Sequence, residues 1–200
     1  MFTITKPVDE HFFEQESKEM WYVIGASYCR YSASRTDNRN SWRSVNYDLL
    51  GIIQTCVDPN QAIGTPDKFG SRLLQIKSQH MQDRLKKKGL GVPRSERGFP
   101  ADIKNRYLDY FVRGFFDAQV SVSADERTCV SYPSANFLRG LYKKLVTHAH
   151  VRTGRDITST VLCLSQQETA AVHDFIYRDW EYIQEHGLYL PSKKERFKVA

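Results

Sequence analysis

Arginines cluster between residues 30 and 43, where Arg30, Arg35, Arg39 and Arg43 are opposed only by Asp37. Guanidinium groups bind phosphate and can also read guanine, so this density favours a nucleic acid as the partner. Further along the chain there are amide, hydroxyl and ammonium side chains that can also contact a nucleic acid. The full set that we predict to contact DNA is Arg30, Arg35, Arg39, Asn40, Arg43, Arg72, Gln75, Lys77, Gln119, Ser121, Ser123, Arg127, Lys193 and Lys194.

Other recognisable chemistry is absent from the sequence. It has no Gly-rich phosphate loop, no G-x-S-x-G elbow and no H-E-x-x-H motif. The cysteines (Cys29, Cys56, Cys129 and Cys163) lack zinc-ligand spacing and lie in apolar surroundings, so we expect buried free thiols. The scattered histidines (His11, His80, His173 and His186) are expected to be surface or core groups.

The composition fits a protein that binds a polyanion. The formal charge is +6, the isoelectric point is about 9.1, and 40% of the residues are hydrophobic. No apolar run approaches the length of a membrane span, and residues 1–16 lack a signal pattern. We therefore expect a soluble intracellular protein, either cytoplasmic, nucleoid-associated or organellar, with no membrane contact.

These side chains must be positioned by two related apolar segments. Residues 103–118 carry apolar side chains at helical spacing, with Gly114 on the apolar face. Residues 22–25 match residues 111–114, residues 31–34 match 120–123, and residues 49–53 match 138–142, each at an offset of 89 (114 − 25). Because a packed glycine allows another backbone to approach closely, we expect Gly25 and Gly114 to face each other.

The offset predicts a tandem duplication. We place an N-terminal arm at 1–16, a first half at 17–100, a second half at 101–187 and a basic tail at 188–200. Each half is expected to contain a helix (19–29 or 103–118), a strand pair (30–46 or 119–132), a helix (46–57 or 134–147), a strand (72–77 or 158–164) and a final helix after Ser78 or Ser165. The fold class is therefore α+β, and the two sheets could straddle a DNA duplex.

The second apolar segment resembles a LAGLIDADG homing endonuclease motif. Phe99-Pro100 precedes a helix that ends in Arg113-Gly114-Phe115-Phe116-Asp117-Ala118-Gln119 and leads into a strand. The resemblance covers about residues 17–197 and is to the single-chain, two-motif form of the family. It implies αββαββα repeated twice with pseudo-two-fold symmetry, with two saddle-shaped antiparallel sheets flanking a central helix pair.

The resemblance also implies a pair of metal-binding acids at the ends of the two helices, and this chain departs from that pattern. Arg30 and Gln119 stand at those positions, while Asp117 matches an earlier acidic position of the motif. An arginine repels Mg²⁺, and a neutral amide is a weak ligand for it. We therefore predict no catalytic residue, no metal and no cofactor, and a monomer that binds double-stranded DNA, with Arg30 on the central phosphates.

Three alternatives remain open at this level. The first is an active endonuclease with rearranged metal ligands, such as Asp117 with Asp37 or Asp109. The second is an RNA-binding splicing cofactor of the maturase type, and the third is a protein-interaction module. The arginine density of residues 30–43 argues against the last, because such a module has no need of it.

Overall fold

The computed structural model describes residues 8–122 and 128–197. In this part of the chain the helices are α1 (Lys18–Arg30), α2 (Tyr47–Val57), α3 (Gln79–Leu85), α4 (Leu108–Gln119), α5 (Ala135–His148), α6 (Gln166–Ile176), α7 (Trp180–Glu185) and α8 (Pro191–Phe197). The strands are β1 (Tyr31–Ala33), β2 (Arg39–Ser44), β3 (Arg72–Lys77), β4 (Ser121–Val122), β5 (Thr128–Ser131) and β6 (Val161–Leu164). No helix among these residues is long and apolar enough to cross a bilayer.

The strands form two separate antiparallel sheets, so the protein is α+β as predicted. The first sheet has the order β1-β2-β3, with Tyr31 opposite Trp42 and Arg39 opposite Lys77. The second has the order β4-β5-β6, with Ser121 opposite Cys129 and Cys129 opposite Cys163. In both, the helices cover one face and the other face is open.

Along the described residues, the order helix, strand, strand, helix, strand, helix occurs twice, as α1–α3 and as α4–α6. Within the described residues neither sheet has the four strands that αββαββα implies, since each has three. In the first half the missing strand corresponds to residues 64–67, which run back along β3 through Gly64 N–H to Leu73 O (2.9 Å) and Asp67 N–H to Ser71 O (2.8 Å). Pro66 has no N–H to donate and interrupts a regular ladder there.

The centre of the molecule is the pair α1 and α4. Every residue from Met20 to Cys29 and from Leu108 to Ala118 is buried, so both helices are enclosed on all sides. A Cβ atom at Gly25 would lie 2.1 Å from Phe111 O, and one at Gly114 would lie 2.0 Å from Tyr22 O. The two contacts are equivalent under the repeat, because Gly25 corresponds to Gly114 and Tyr22 to Phe111, each at the offset of 89. The expected face-to-face packing of the two glycines is confirmed.

Helix starts follow their caps closely. Ser17, Ser78 and Ser165 accept hydrogen bonds from Met20 N, Met81 N and Glu168 N, and Ser165 with Glu168 forms a capping box. The start of α4 differs from expectation, because residues 105–107 form a 3₁₀ turn and the α-helix begins at Leu108. Ile103 is nevertheless buried. The apolar spacing from residue 103 onward therefore predicted burial correctly but placed the start of the helix too early.

Two cysteine predictions need correction. Cys129 and Cys163, directly opposite each other on β5 and β6, form a disulfide. Sequence reasoning missed it because their separation of 34 residues gives no local signal. Cys29 is a buried free thiol as expected, and burial raises its pKa to about 12; Cys56 is free and partly buried.

The basic tail after residue 187 is folded as far as the structure describes it. The chain turns at Gly187 and then forms α8, while Leu188 and Leu190 are buried in the common core. The residues of this segment that the structure describes are therefore part of the folded body.

Candidate nucleic-acid interface

The open face of the first sheet carries most of the residues predicted to bind DNA. Side chains alternate along β2, so Arg39, Ser41 and Arg43 point outward while Asn40, Trp42 and Ser44 point inward. On β3, Lys77 lies opposite Arg39 and Gln75 lies opposite Ser41. Gln75 Nε2 donates to Ser41 Oγ (3.2 Å). We call this face, made of Arg39, Ser41, Arg43, Gln75 and Lys77, the basic face.

Arg39 and Arg43 of the basic face are exposed and are paired with partly exposed carboxylates. Arg43 Nη1 lies 2.7 Å from Asp67 Oδ2, and Arg39 pairs with Asp37 in the preceding turn. Exposed ion pairs contribute about 0–1 kcal/mol, so a phosphate can replace these carboxylates at little cost. Lys77 is exposed, and no hydrogen bond or ion pair joins it to another described residue.

Arg35 extends the positive charge around the edge of the sheet. It is exposed in the turn between β1 and β2 and lines a groove of about 460 Å³ beside the edge strand. The same groove is lined by Lys86, Arg94 and Arg97 from the segment that joins the two halves. Sequence reasoning did not include Arg94 or Arg97; their only signal was the pair of arginines between Pro93 and Pro100.

Two predicted contact residues lie elsewhere. Asn40 is fully buried; Tyr31 Oη donates to its Oδ1 (2.8 Å), and its Nδ2 donates to Ser78 O (2.8 Å) and Ile76 O (3.2 Å). It holds β1, β2 and the end of β3 together and has no free surface for a base. The prediction failed because one position of strand alternation decides the face.

Arg72 is the second correction. It lies opposite Ser44, which points inward, and its guanidinium sits 4.9 Å from the centre of the Tyr47 ring. Arg72 is therefore on the helix side of the sheet and does not share the basic face with Arg39 and Arg43.

Arg30 lies where the C-terminal ends of α1 and α4 meet. Its Nη2 donates to Ala118 O, one of the last carbonyl groups of α4, so this cation caps the negative end of the partner helix. Burial lowers the pKa of Arg30, and the neighbouring Arg94 acts in the same direction. Its Nε is buried without a hydrogen-bond partner among the described residues.

Arg97 and Tyr132 donate hydrogen bonds to carbonyl groups at the C-terminal end of α1. Arg97 is buried and donates to Tyr28 O (2.7 Å), Ser27 O and Tyr31 O, while Tyr132 Oη donates to Tyr28 O (3.0 Å). The two converging helix ends are thus compensated by Arg30 and Arg97. No carboxylate among the described residues takes that place.

The second sheet differs from the first. Gln119 Nε2 donates to Ser131 O (2.8 Å), and Ser121 Oγ donates to Cys129 O (3.4 Å). The outward residues of its strands are Ser121, Cys129, Ser131, Val161 and Cys163, none of which is charged. The predicted contacts Ser123 and Arg127 lie outside the described residues.

Lys193 and Lys194 lie on α8. Lys193 Nζ donates to Val120 O, just after the end of α4, and Lys194 Nζ lies 3.0 Å from the centre of the Trp180 ring. Lys193 therefore adds a further cation at the end of the central helix pair.

Asp117 is buried in the core and is held by neutral donors. Tyr22 Oη (2.7 Å) and Leu190 N–H (3.2 Å) both donate to its Oδ2. Burial raises the pKa of Asp117 to about 7, against the lowering effect of the Tyr22 hydrogen bond and of Arg113. This carboxyl group has no open side toward the basic face.

The acids of the rearranged-ligand alternative are not brought together. Asp109 is buried two turns earlier on α4 and pairs with Arg178 (2.8 Å), while Asp37 pairs with Arg39 in the β1–β2 turn. Positions eight residues apart on a helix differ by about 12 Å along its axis. Asp117, Asp109 and Asp37 therefore do not form a common metal site.

No protein-family model matches this chain, and no curated protein matches it.

Proposed function

We propose that this protein binds double-stranded DNA as a monomer on a LAGLIDADG homing endonuclease scaffold and does not cleave it. The scaffold assignment is supported by the element order that occurs twice and by the reciprocal contacts of Gly25 and Gly114. A two-fold operation that exchanges the halves would exchange those contacts. The proposed architecture thus has two sheets on either side of one helix pair.

The observation that carries the DNA-binding proposal is the basic face. Arg39, Arg43 and Lys77 project from neighbouring strands, interspersed with Ser41 and Gln75, on the exposed side of the sheet. Cations at this spacing can contact successive phosphates, while the amide and hydroxyl groups can contact base edges. Arg35 continues the charge around the sheet edge.

The loss of cleavage is proposed from the ends of the central helices. The family's Mg²⁺ does not fit the residues present, because Arg30 and Gln119 donate to backbone carbonyl groups there and supply no anionic oxygen. The cation on Arg30 instead offers a phosphate contact near the centre of the molecule. No catalytic step is assigned.

The proposal is tested by fluorescence anisotropy with a random-sequence duplex at several salt concentrations. Each phosphate contact adds about 0.9 to the negative slope of log K against log salt. The double variant Arg39→Ala/Lys77→Ala is expected to bind at least tenfold more weakly and to reduce the slope by about 1–2.

The matched control is Lys143→Ala/Lys144→Ala on α5, a helix that covers the opposite side of the second sheet. Equal losses in both double variants would show that binding is unspecific attraction to a positive protein, and the basic face would lose its role. Tighter binding of a structured RNA than of the duplex would favour the maturase-type alternative.

Cleavage is examined separately by incubating supercoiled and random-library DNA with Mg²⁺ or Mn²⁺. We expect no nicking above background. Nicking that disappears in Gln119→Ala would refute the loss of activity while leaving the binding proposal intact.

A further inference from the structure

The N-terminal arm folds back onto the first half of the protein. Phe13 is buried and stacks on Trp42, with ring centres 6.5 Å apart. This anchor brings His11 and Glu14 against the first turns of α3, where His80 and Arg84 project. Residues almost 70 positions apart in the sequence thereby form one cluster.

Three potential metal ligands converge in this cluster. His11 Nδ1 lies 2.8 Å from Glu14 Oε2, and His80 Nε2 lies 2.8 Å from Glu14 Oε1. One ligand atom from each residue falls within 4.8 Å of the other two. It is the one group of three or more His, Cys, Asp or Glu side chains with this geometry in the described ranges 8–122 and 128–197.

The geometry at His80 favours an ion bound by both His80 and Glu14 over a simple hydrogen bond between the two side chains. His80 Nε2 is shielded from solvent and has no hydrogen-bond partner among residues 8–122 and 128–197, although Glu14 Oε1 is 2.8 Å away. The contact is short, but the N–H direction does not point along it. A nitrogen and an oxygen placed in this way can both direct lone pairs at a third atom.

We propose that His11, Glu14 and His80 bind a divalent transition-metal ion of the Zn²⁺ class. Two imidazoles and one carboxylate suit Zn²⁺ and Co²⁺ and leave a fourth position for water. Ligands at bond lengths of about 2.0–2.1 Å in a tetrahedral site lie about 3.3 Å apart. The His11 side chain, 65% exposed, can move by the remaining distance.

Arg84 is the feature that opposes the site. Its Nη2 contacts Glu14 Oε1, so it shares the carboxylate with His80 and places a positive charge beside the metal position. Glu14 Oε2 faces His11 and provides the second coordination direction. Removing Arg84 therefore strengthens metal binding. If the cluster were only a structural ion pair, the same change would only remove a stabilising contact of Glu14.

The bound ion would fix the arm to α3. This helix packs through Met81 and Leu85 on the inner side of the first sheet, opposite the basic face. The site is therefore separate from the proposed DNA contact, and either proposal can fail without the other.

The test uses the metal-free full-length protein titrated with CoCl₂ and ZnCl₂. We expect one saturable equivalent, visible Co²⁺ absorption typical of tetrahedral coordination, and a melting temperature raised by about 5–10 °C at a hundredfold excess over the Kd. His80→Ala and Glu14→Gln should each weaken binding at least tenfold, and Arg84→Gln should tighten it.

The matched control is His173→Ala, which removes a different partly buried histidine and should leave the Co²⁺ spectrum unchanged. Melting without metal verifies that each variant is folded. Absence of a saturable spectrum, or a thiolate charge-transfer band that disappears in Cys56→Ser, would overturn the assignment. An equal loss of affinity in His173→Ala and His80→Ala would do so as well.

Discussion

At the scale of single residues, Asp117 is the side chain whose role changed most. Its sequence position matched an acidic residue of the motif, yet Tyr22 and Leu190 enclose it in the core. A pKa of about 7 means that the folded protein binds a proton at this site that the unfolded chain has released. Stability therefore depends on pH through this group.

The direction of that dependence follows from proton binding in the two states. Between about pH 4 and pH 7 the folded state holds the Asp117 proton and the unfolded state does not, so this contribution to the free energy of unfolding falls as pH rises. The Asp117→Asn variant lacks this pH-dependent contribution, because an amide does not titrate. We expect the difference in unfolding free energy, wild type minus Asp117→Asn, to fall with pH by up to about 1.4 kcal/mol per unit in this range.

Urea unfolding of both proteins at several pH values measures that difference. Other carboxyl groups, such as Glu168 and Asp179, have lowered pKa values and cancel between the two proteins. A difference that is constant from pH 4 to pH 7 would mean that Asp117 is ionised in the fold throughout.

At the scale of elements, the contact between α1 and α4 depends on two glycines. Adding a methyl group at Gly25 or Gly114 places it against a backbone carbonyl oxygen, which cannot move aside as a side chain can. We expect Gly25→Ala and Gly114→Ala each to lower the free energy of unfolding by about 3 kcal/mol, the upper end of the range for overpacking.

Gly51→Ala is the matched control for that prediction. Gly51 lies inside α2, and a Cβ atom there meets nothing within 4 Å. Alanine should stabilise this helix by about 0.5–1 kcal/mol. Denaturant unfolding distinguishes the cases; similar small effects at all three glycines would show that the helix pair is not tightly packed.

The elements were also the level at which sequence reasoning succeeded best. The sequence correctly predicted β3 at 72–77, the start of α3 after Ser78 and of α6 after Ser165, and the close approach of Gly25 to Gly114. The last came from the offset of 89 residues, because related segments tend to occupy related positions. These features depend on nearby residues or on an internal comparison, both of which a single sequence contains.

The candidate interface was predicted less well, for physical reasons. Asn40 was misplaced because adjacent residues of a strand face opposite sides, and Arg72 because its face depends on pairing with Ser44. The Cys129–Cys163 bond and the His11–Glu14–His80 cluster depend on tertiary approach between distant segments. No spacing rule within one sequence contains that information.

At the scale of the whole molecule, charge is distributed unequally between the two sheets. Arg39, Arg43 and Lys77 project from the first, whereas the outward strand residues of the second that the structure describes are uncharged. On the proposed scaffold, electrostatic attraction to DNA is therefore concentrated on one half. The other half would contribute shape and neutral contacts.

Adding a cation to the second sheet tests this distribution. Val161 is 44% exposed on the open face of β6. We expect Val161→Lys to strengthen duplex binding and to increase the negative salt slope by up to about 0.9, because one more phosphate contact becomes available. Thr147→Lys, on the exposed side of α5, adds the same charge away from both sheets and should change the slope far less. Equal changes in the two variants would contradict a DNA path across the second sheet.

The central helix pair also sets the order of events during synthesis. The last residue of α4, Gln119, is added 89 positions after Arg30, the last residue of α1 (119 − 30). At about 5–20 residues per second, the ribosome needs roughly 4–18 s to supply the partner that covers Gly25 and its apolar neighbours. Until α4 is complete, the apolar residues of α1 lack the helix that covers them and are open to aggregation and to chaperones.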